Sequence, residues 1–124
     1  MKGEKMTMLV VDDEIGVLKF VKEVFEVRGW DVIATPVGAS IRSILEREKI
    51  NVILLDIRLP DESGLDILKD LKSRFPGIPV IIYTAFGYED EKVNEAIRLG
   101  ASGYVSKGVP IMELIEVVNN TLIK

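Results

Sequence analysis

The chain has 124 residues, a formal net charge of -4, 48% hydrophobic residues and 29% charged residues. This length is typical of one domain with a true core, and this balance excludes disordered and fibrous chains. The lack of cysteine and histidine excludes disulfide scaffolds, zinc fingers and Ser-His-Asp hydrolases, and it leaves oxygen-liganded ions as candidate metals.

The charge and the short apolar runs limit the partners that we expect. Phosphate contacts need clustered Lys and Arg, so the acidic balance argues against direct nucleic-acid binding by this chain. The apolar runs at residues 8–11 and 52–55 are far shorter than the ~18 residues that span a bilayer. The acidic residues Asp12, Asp13 and Glu14 come too early in the chain for a signal peptide. We therefore expect a cytoplasmic protein with no membrane partner.

Short apolar segments alternate along the chain with amphipathic stretches, a pattern typical of βα repeats around a parallel sheet. The predicted strands are residues 6–12, 31–35, 51–56, 79–84 and 103–106. Three of the five are nearly continuous Val, Ile and Leu, as expected of strands that are covered on both faces.

Between these strands, apolar residues recur at the i, i+3, i+4 spacing of a helix face that packs on a core. The predicted core positions of the five helices are, in order, Val17, Phe20, Val21, Val24 and Phe25; Ile41, Ile44 and Leu45; Leu65, Leu68, Leu71 and Phe75; Val93, Ala96, Ile97 and Gly100; and Ile111, Leu114, Ile115, Val118 and Leu122. Gly29 and Gly100 are predicted to end helices one and four. No linker interrupts the chain, so residues 1–124 are predicted to form a single domain, standing alone or excised from a longer protein.

The first helix also carries residues that we expect to face away from the core. Ile15, Leu18, Lys19 and Lys22 are predicted to lie near the carboxyl edge of the sheet, where the helices of a kinase could dock. Single exposed apolar residues are common, so an ordinary surface is an equally good interpretation. Trp30, beyond the end of this helix, is predicted to be a packing residue.

Polar residues follow four of the predicted strands at one edge of the sheet, where ligands of open α/β sheets bind. Strand one ends in Asp12 and Asp13, strand three in Asp56 and strand four in Thr84, and Lys107 follows strand five. Each residue alone has an ordinary explanation, such as a helix cap, a turn or a surface charge. Their coincidence at one edge favours a functional site.

Three carboxylates gathered at this edge call for a cation. At about 5 Å and an effective dielectric near 20, each pair repels by roughly 3 kcal/mol, and one lysine offsets only part of this. Carboxylates, a carbonyl and waters suit Mg²⁺, which commonly bridges to a phosphoryl oxygen. A carboxylate nucleophile, Mg²⁺, Lys107 and the Thr84 hydroxyl would together supply the groups that phosphoryl transfer needs.

Four segments make the chain resemble the receiver domain of two-component response regulators, similar to the chemotaxis regulator fold. They are VVDDE at residues 10–14, LLDIRLPDESG at 54–64, YTA at 83–85 and GASGYVSK at 100–107. The resemblance covers essentially the whole chain. It implies an α/β, flavodoxin-like (βα)5 fold, with a doubly wound parallel sheet in strand order 2-1-3-4-5.

The resemblance also implies roles for the acidic residues and for one carbonyl. Asp56 would be the phosphoacceptor and a metal ligand. Asp13 would bind Mg²⁺ directly and Asp12 would bind it through water. The backbone carbonyl of Arg58 would be the third protein ligand.

Further roles follow for the residues around the phosphoryl group. Thr84 and the amide of Ala85 would bind phosphoryl oxygens, and Lys107 would pair first with Asp56 and then with the phosphate. Phosphorylation adds about -1.5 to -2 charges, which would draw in Thr84 and let Tyr104 rotate inward as a switch residue. The surface of helix four, strand five and helix five would change with it.

Two features depart from the family pattern or vary within it. Most members follow the lysine with a proline through a cis bond, whereas Gly108 follows Lys107 here, so we expect the loop after strand five to differ. Arg58 and Phe86 lie two residues beyond Asp56 and Thr84, at positions that flank the path of the attacking water in this family. We hypothesise that the bulk of Phe86 slows dephosphorylation.

Other functions fit the sequence less well. A flavodoxin-like cofactor binder needs a phosphate-cradling first loop, which Asp12 and Asp13 would oppose, and a P-loop nucleotidase needs a glycine-rich motif that is absent. A haloacid-dehalogenase-like phosphatase also uses an Asp nucleophile with Mg²⁺, but it would have a D-x-D pair on strand one. Here the two acidic residues of strand one are adjacent, and the candidate nucleophile lies on strand three. A receiver-like module that binds partners without phosphate remains an alternative, although all five expected site residues are present.

The resemblance therefore implies a phosphorylation-controlled switch that catalyses only its own phosphoryl transfer and autodephosphorylation. Its phosphodonor would be a sensor histidine kinase, a phosphotransfer protein or a small acyl phosphate. Its output partner or domain is not identified by the sequence, and the resemblance allows a homodimer that forms on phosphorylation.

Overall fold

The computed structural model describes residues 5–87 and 89–122, which form five strands that alternate with five helices. The strands are β1 (Thr7–Val11), β2 (Asp31–Thr35), β3 (Val52–Leu55), β4 (Val80–Thr84) and β5 (Gly103–Ser106). The helices are α1 (Ile15–Val27), α2 (Ile41–Arg47), α3 (Gly64–Arg74), α4 (Glu91–Arg98) and α5 (Ile111–Leu122), and a 3₁₀ turn (Gly38–Ser40) precedes α2. All ten predicted elements are present, and the strand ends agree within one residue.

The strands form one parallel sheet in the order β2-β1-β3-β4-β5, as the resemblance implied. Every residue of β3 and β4 is buried, which explains why Val, Ile and Leu fill β3 and the first three positions of β4 without alternation. The chain runs outward in opposite directions from β1 and β3, so the topological switch point lies at their carboxyl ends.

Alternation along the strands divides the core into two layers, one on each side of the sheet. Leu9, Ile53 and Ile82 belong to the layer that α2, α3 and α4 cover. Val10, Leu54 and their neighbours on the other face pack under α1 and α5. Helices therefore cover both faces, and the carboxyl edge of the sheet is where polar side chains can gather.

Two predicted helix faces were partly wrong. Leu18 is buried at 7% exposure, although we predicted it to face outward, and Phe20 is 46% exposed, although we predicted it in the core. The stripe that packs on the sheet is Leu18, Val21 and Phe25, since apolar residues at adjacent positions let two overlapping stripes fit the same spacing. Ile97 is likewise 42% exposed rather than buried, and the buried residues of α4 are Val93 and Ala96.

Other local predictions were confirmed. Ile15, with the lysines Lys19 and Lys22, is exposed on α1, and Trp30 packs edge-on against Phe25 with ring centroids 5.7 Å apart. Gly29 and Gly100 follow the ends of α1 and α4 with φ of 93° and 105°, a left-handed conformation that glycine adopts without steric cost. Among the described residues, no helix has the length and apolar character needed to cross a membrane.

Candidate functional site

The backbone of the sheet places the polar residues of the carboxyl edge. The amide of Asp12 donates to a carbonyl of β2 at 3.2 Å, and the amide of Asp56 donates to a carbonyl of β1 at 3.1 Å. The amide of Lys107 donates to the Thr84 carbonyl at 2.8 Å. Each ladder of hydrogen bonds thus continues one residue beyond its strand, so these side chains project from a rigid edge.

Asp56 lies at the centre of the site, with a relative exposure of 5%. Its Oδ1 accepts hydrogen bonds from the Thr84 hydroxyl and from the Arg58 backbone N–H, both at 3.0 Å. Its Oδ2 accepts from the Lys107 ammonium at 2.8 Å. Three donors therefore fix the orientation of this buried carboxylate, as burial of a charged group requires.

Lys107 reaches the centre although Gly108 follows it. The loop is closed by the Gly108 N–H, which donates to Ser106 Oγ at 3.2 Å, and the described residues contain no cis peptide bond. Besides Asp56, the Lys107 ammonium lies 2.7 Å from Asp12 Oδ2 and 2.8 Å from Glu14 Oε1. The loop that we expected to differ thus still delivers the lysine to the carboxylates.

Burial and pairing act on the charges of this site in opposite directions. Burial by itself lowers the pKa of Lys107, but hydrogen bonds to Asp12, Asp56 and Glu14 outweigh it, so the pKa lies above that of an ordinary lysine. Burial raises the pKa of Asp12 above its ordinary value, although hydrogen bonds from Lys107 and the Glu14 N–H partly oppose this. An ionised Asp12 is therefore held in the site at a cost in free energy.

Three carboxylates form an oxygen-only donor set. One oxygen from each of Asp12, Asp13 and Asp56 lies within 4.8 Å of the other two, with Asp13 exposed and the other two buried. These hard donors fit Mg²⁺, which prefers carboxylates and keeps several waters. Arg58, whose carbonyl the resemblance adds to this set, is the third residue of the loop after β3.

The loop between β3 and α3 is folded back tightly. The Gly64 N–H donates to the Ile57 carbonyl at 3.3 Å, and a Cβ on Gly64 would lie 2.4 Å from Ile57 Cα. The carboxylate of Asp61 accepts hydrogen bonds from the amides of Gly38 and Ala39, both at 3.2 Å. This loop is therefore fastened both to itself and to the turn before α2.

The loop after β4 contacts both neighbouring segments. The Arg58 guanidinium lies over the Phe86 ring, with Cζ 4.2 Å from its centroid, and the Tyr104 hydroxyl donates to the Phe86 carbonyl. Ala85, between Thr84 and Phe86, is exposed. Phe86 thus links the loop after β3 with strand β5.

Sequence reasoning missed two of these contacts. Glu14 appeared only as part of an acidic motif at the start of α1, and nothing in its spacing indicated an ion pair with Lys107, which lies 93 residues away. The double hydrogen bond of Asp61 to the turn before α2 was also missed. Asp61 lies 23 and 22 residues from Gly38 and Ala39 in the sequence, so only the folded structure shows that they are neighbours.

Comparisons with known proteins identify the family to which this chain belongs. The family model that matches is the response regulator receiver domain, over residues 8–119. The chain belongs to the response regulator receiver family. This receiver is 34% identical over 113 residues to the "Probable transcriptional regulatory protein TcrX" of Mycobacterium tuberculosis, an alignment that covers 91% of the chain and 48% of TcrX.

Solved structures of receivers are also similar. A CheY-like receiver domain protein from Methanospirillum hungatei has a TM-score of 0.89 at 28% identity, covering 96% of this chain and 94% of that one. The BeF3-activated receiver domain of DrrB has a TM-score of 0.86 at 30% identity, covering 98% and 100%. The chain spans about half the length of the curated relatives it matches.

Proposed function

We propose that this receiver accepts a phosphoryl group on Asp56 and that the modified surface then controls an output partner. The observation that carries the proposal is the setting of the Asp56 carboxylate, which is buried and held by Thr84, Lys107 and the Arg58 N–H. Neighbouring carboxylates able to hold a divalent cation complete the groups that phosphoryl transfer needs.

In the proposed reaction an Asp56 carboxylate oxygen attacks the phosphorus of the donor. The new O–P bond forms as the P–N bond of a phosphohistidine, or the P–O bond of an acyl phosphate, breaks. The electron pair of the broken bond leaves with the donor group, and the product is an aspartyl phosphate. Lys107 and the Thr84 hydroxyl would offer hydrogen bonds to the phosphoryl oxygens, and the amide of Ala85 would add a third donor.

We propose that Mg²⁺ is the metal of this site. Asp13, Asp56 and the carbonyl of Arg58 would hold it directly, and Asp12 would hold it through water. When bound, the ion supplies positive charge to the oxygens of the transferred group. The chain's own residues orient the nucleophile, because Thr84, Lys107 and the Arg58 N–H hold the Asp56 carboxylate.

The proposed switch follows from the charge that phosphorylation adds. Thr84 and Lys107 can donate hydrogen bonds to the added phosphoryl group, and both already contact Asp56. The hydrogen bond of Tyr104 to the Phe86 carbonyl connects strand β5 to the loop that follows Thr84. We therefore propose that the surface of α4, β5 and α5 changes with phosphorylation, so that the domain acts as a switch with slow autodephosphorylation rather than as a turnover enzyme.

We propose a sensor histidine kinase or a phosphotransfer protein as the phosphodonor in a cytoplasmic two-component pathway. The curated relatives are about twice as long as this chain, and TcrX is described as a transcriptional regulatory protein. Residues 1–124 would thus form one receiver domain, whose output lies in a partner or in a further domain. Dimerisation through α4, β5 and α5 is one way in which phosphorylation would reach that output.

The proposal is tested by the intact mass of the chain after incubation with acetyl phosphate and Mg²⁺. We expect one added phosphoryl group, with no adduct in a chelator or in Asp56→Asn. Glu23→Gln, which removes an exposed carboxylate elsewhere on α1, is the matched control and should be modified like the parent chain. The absence of any adduct would overturn the proposal and favour a module that binds partners without phosphate.

A further inference from the structure

The loop between β3 and α3 supplies two backbone groups to the proposed site. The Arg58 N–H donates to Asp56 Oδ1 at 3.0 Å, and the Arg58 carbonyl is one of the proposed Mg²⁺ ligands. Both groups belong to one residue, so a shift of this loop would displace the donor to Asp56 and the metal ligand together. We therefore expect the affinity for Mg²⁺ to depend on how firmly the loop is held.

Contacts on three sides hold this loop. Within it, Arg58 and Ser63 form an isolated antiparallel bridge. On the side of β4, the Arg58 guanidinium stacks on the ring of Phe86. On the side of β2, the carboxylate of Asp61 binds the turn before α2. The first two contacts involve Arg58 itself, whereas Asp61 fastens the tip of the loop.

The Asp61 carboxylate binds the turn with both of its oxygens. Its Oδ1 accepts from the Gly38 N–H and its Oδ2 accepts from the Ala39 N–H, both at 3.2 Å. The first N–H groups of a helical segment have no partner inside it, and the cap residues Val37 and Ser40 supply no side-chain hydrogen bond here. Asp61 thus provides, from a different loop, the cap that this turn lacks. Hydrogen bonds to an ionised carboxylate are about twice as strong as those between neutral groups.

The turn that Asp61 caps is packed closely against α3. Gly38 is buried, and a Cβ added to it would lie 2.6 Å from Ile67 Cδ1. The loop is therefore anchored to a packed part of the fold, so the hydrogen bonds of Asp61 can restrict where its tip lies.

We propose that Asp61 is a positioning residue for the metal site and that it couples Mg²⁺ binding to the start of α2. Its two hydrogen bonds restrict the loop that carries Arg58, and so they favour the arrangement of Arg58 that binds the ion. This inference deepens the proposed function and rests on it. Coupling between two sites is reciprocal, so the bound ion should in turn strengthen the hydrogen bonds of Asp61 to Gly38 and Ala39.

The first test is the affinity for Mg²⁺, measured by NMR titration at the backbone amides of residues 12–14. Asp61→Asn keeps the size of the side chain, but it has one acceptor oxygen instead of two and places an NH₂ group against one of the amide donors. We expect this variant to bind Mg²⁺ about fivefold less tightly than the parent chain, or more weakly still, which begins at the lower end of the usual range for coupled sites.

Two control variants separate this effect from others. Glu62→Gln removes an equal charge at the next residue, and so it reports long-range attraction for the ion. Asp70→Asn breaks the ion pair that joins α3 to Arg42 of α2 at 2.9 Å, and so it reports a general loosening of α2. Both should bind Mg²⁺ like the parent chain. Thermal unfolding verifies that each variant is folded.

The second test needs no variant. In the parent chain, saturating Mg²⁺ should slow the hydrogen exchange of the Gly38 and Ala39 amides by a comparable factor of about five. The Glu48 amide, which donates to the Ile44 carbonyl at the far end of α2, should exchange at the same rate with and without the ion. An aspartate that merely stabilised the fold would protect the Gly38 and Ala39 amides equally in both conditions.

The outcomes separate this inference from the proposed function. If Mg²⁺ does not bind the parent chain, the proposed metal site itself is wrong. If Mg²⁺ binds, but Asp61→Asn keeps the affinity or the Gly38 and Ala39 amides exchange at unchanged rates, the coupling is wrong. An equal loss of affinity in Glu62→Gln or Asp70→Asn would also overturn it, since charge or a general loosening would then be responsible.

Discussion

The guanidinium of Arg58 stacks on the ring of Phe86, with Cζ 4.2 Å from the ring centroid. These residues lie two positions beyond Asp56 and Thr84, so the stack forms where the loops after β3 and β4 meet. A cation over an aromatic ring is stabilised by about 0.5–1 kcal/mol at an exposed site. The pair therefore holds the two loops together beside the carboxylate that we propose as phosphoacceptor.

The first prediction concerns the lifetime of the aspartyl phosphate. Phe86→Ala removes the ring and frees Arg58, so water should reach the phosphoryl group more easily. We expect the half-life to shorten by roughly two- to fivefold, as the loss of a cation–π pair suggests. Phe86→Tyr keeps the ring and should resemble the parent chain. The loss of phosphate, followed by intact mass after removal of the donor, measures this, and an unchanged or longer half-life would refute the role of Phe86.

The second prediction concerns the turn that Gly64 permits. A Cβ at this position would lie 2.4 Å from Ile57 Cα and 2.6 Å from the Ile57 carbonyl oxygen, and backbone atoms cannot move aside easily. Gly64→Ala should lower the free energy of unfolding by about 2 to 3 kcal/mol. Gly16→Ala is the control, because nothing lies within 4 Å of its added Cβ, and it should stabilise α1 by about 0.5–1 kcal/mol. Urea unfolding measures both, and equal effects would contradict the account.

The sequence predicted the fold better than it predicted the faces of the helices. The apolar runs of β3 and of the first four residues of β4 are short and lie between turns, as is typical of strands that are buried on both faces. On α1, however, Leu18 and Phe20 both fit an apolar stripe that includes Val21. The choice between them depends on how the helix packs on the sheet, which a single periodic pattern does not encode.

The site was predictable to the extent that strand ends determine it. Asp12, Asp56 and Thr84 end or follow parallel strands, so the topology alone brings them to one edge. The partners of Lys107 were not predictable in the same way, because a long side chain in a loop can reach several groups. Its contact with Glu14 joins residues 93 positions apart, which only the folded chain brings together.

The third prediction concerns the charge balance around Lys107. Lys107→Met leaves the buried carboxylates of Asp12 and Asp56 without their cation, so the metal-free chain should lose about 3 kcal/mol in free energy of unfolding. Mg²⁺ should restore much of this loss, and it should stabilise the variant more than it stabilises the parent chain. Lys107→Arg keeps the charge and should lose less. Thermal unfolding with and without Mg²⁺ measures this. An equal response to Mg²⁺ in all three chains would contradict this account of the charge balance, and no response in any of them would contradict the proposed metal site.

The fourth prediction concerns pH and Asp12, whose pKa burial raises above that of an unfolded aspartate, about 3.9. Between the two pKa values the folded chain binds more protons than the unfolded chain, so the contribution of Asp12 to stability falls as the pH rises through this range. Asp12→Asn lacks this pH-dependent contribution to stability, because asparagine does not titrate. Its stability relative to the parent chain should therefore increase from about pH 4 upward and become constant above the folded-state pKa.

Urea unfolding of both chains in a chelator, at several pH values, measures this difference. The chelator is needed because a bound cation would favour the ionised form of Asp12. The pairs of Lys107 with Asp56 and Glu14 remain in the variant, so no buried charge is left without a partner. A relative stability of Asp12→Asn that falls as the pH rises would contradict the assignment of burial as the dominant effect.

The most direct test of the central claim is to locate the phosphoryl group. Borohydride reduces an aspartyl phosphate to the alcohol and releases phosphate, and so it marks the modified residue permanently. After treatment with acetyl phosphate and Mg²⁺, peptide mass spectrometry should find this reduction at Asp56. A mark at Asp12 or Asp13 instead, or no mark on a chain that is shown to be folded, would contradict the assignment of Asp56 as the phosphoacceptor.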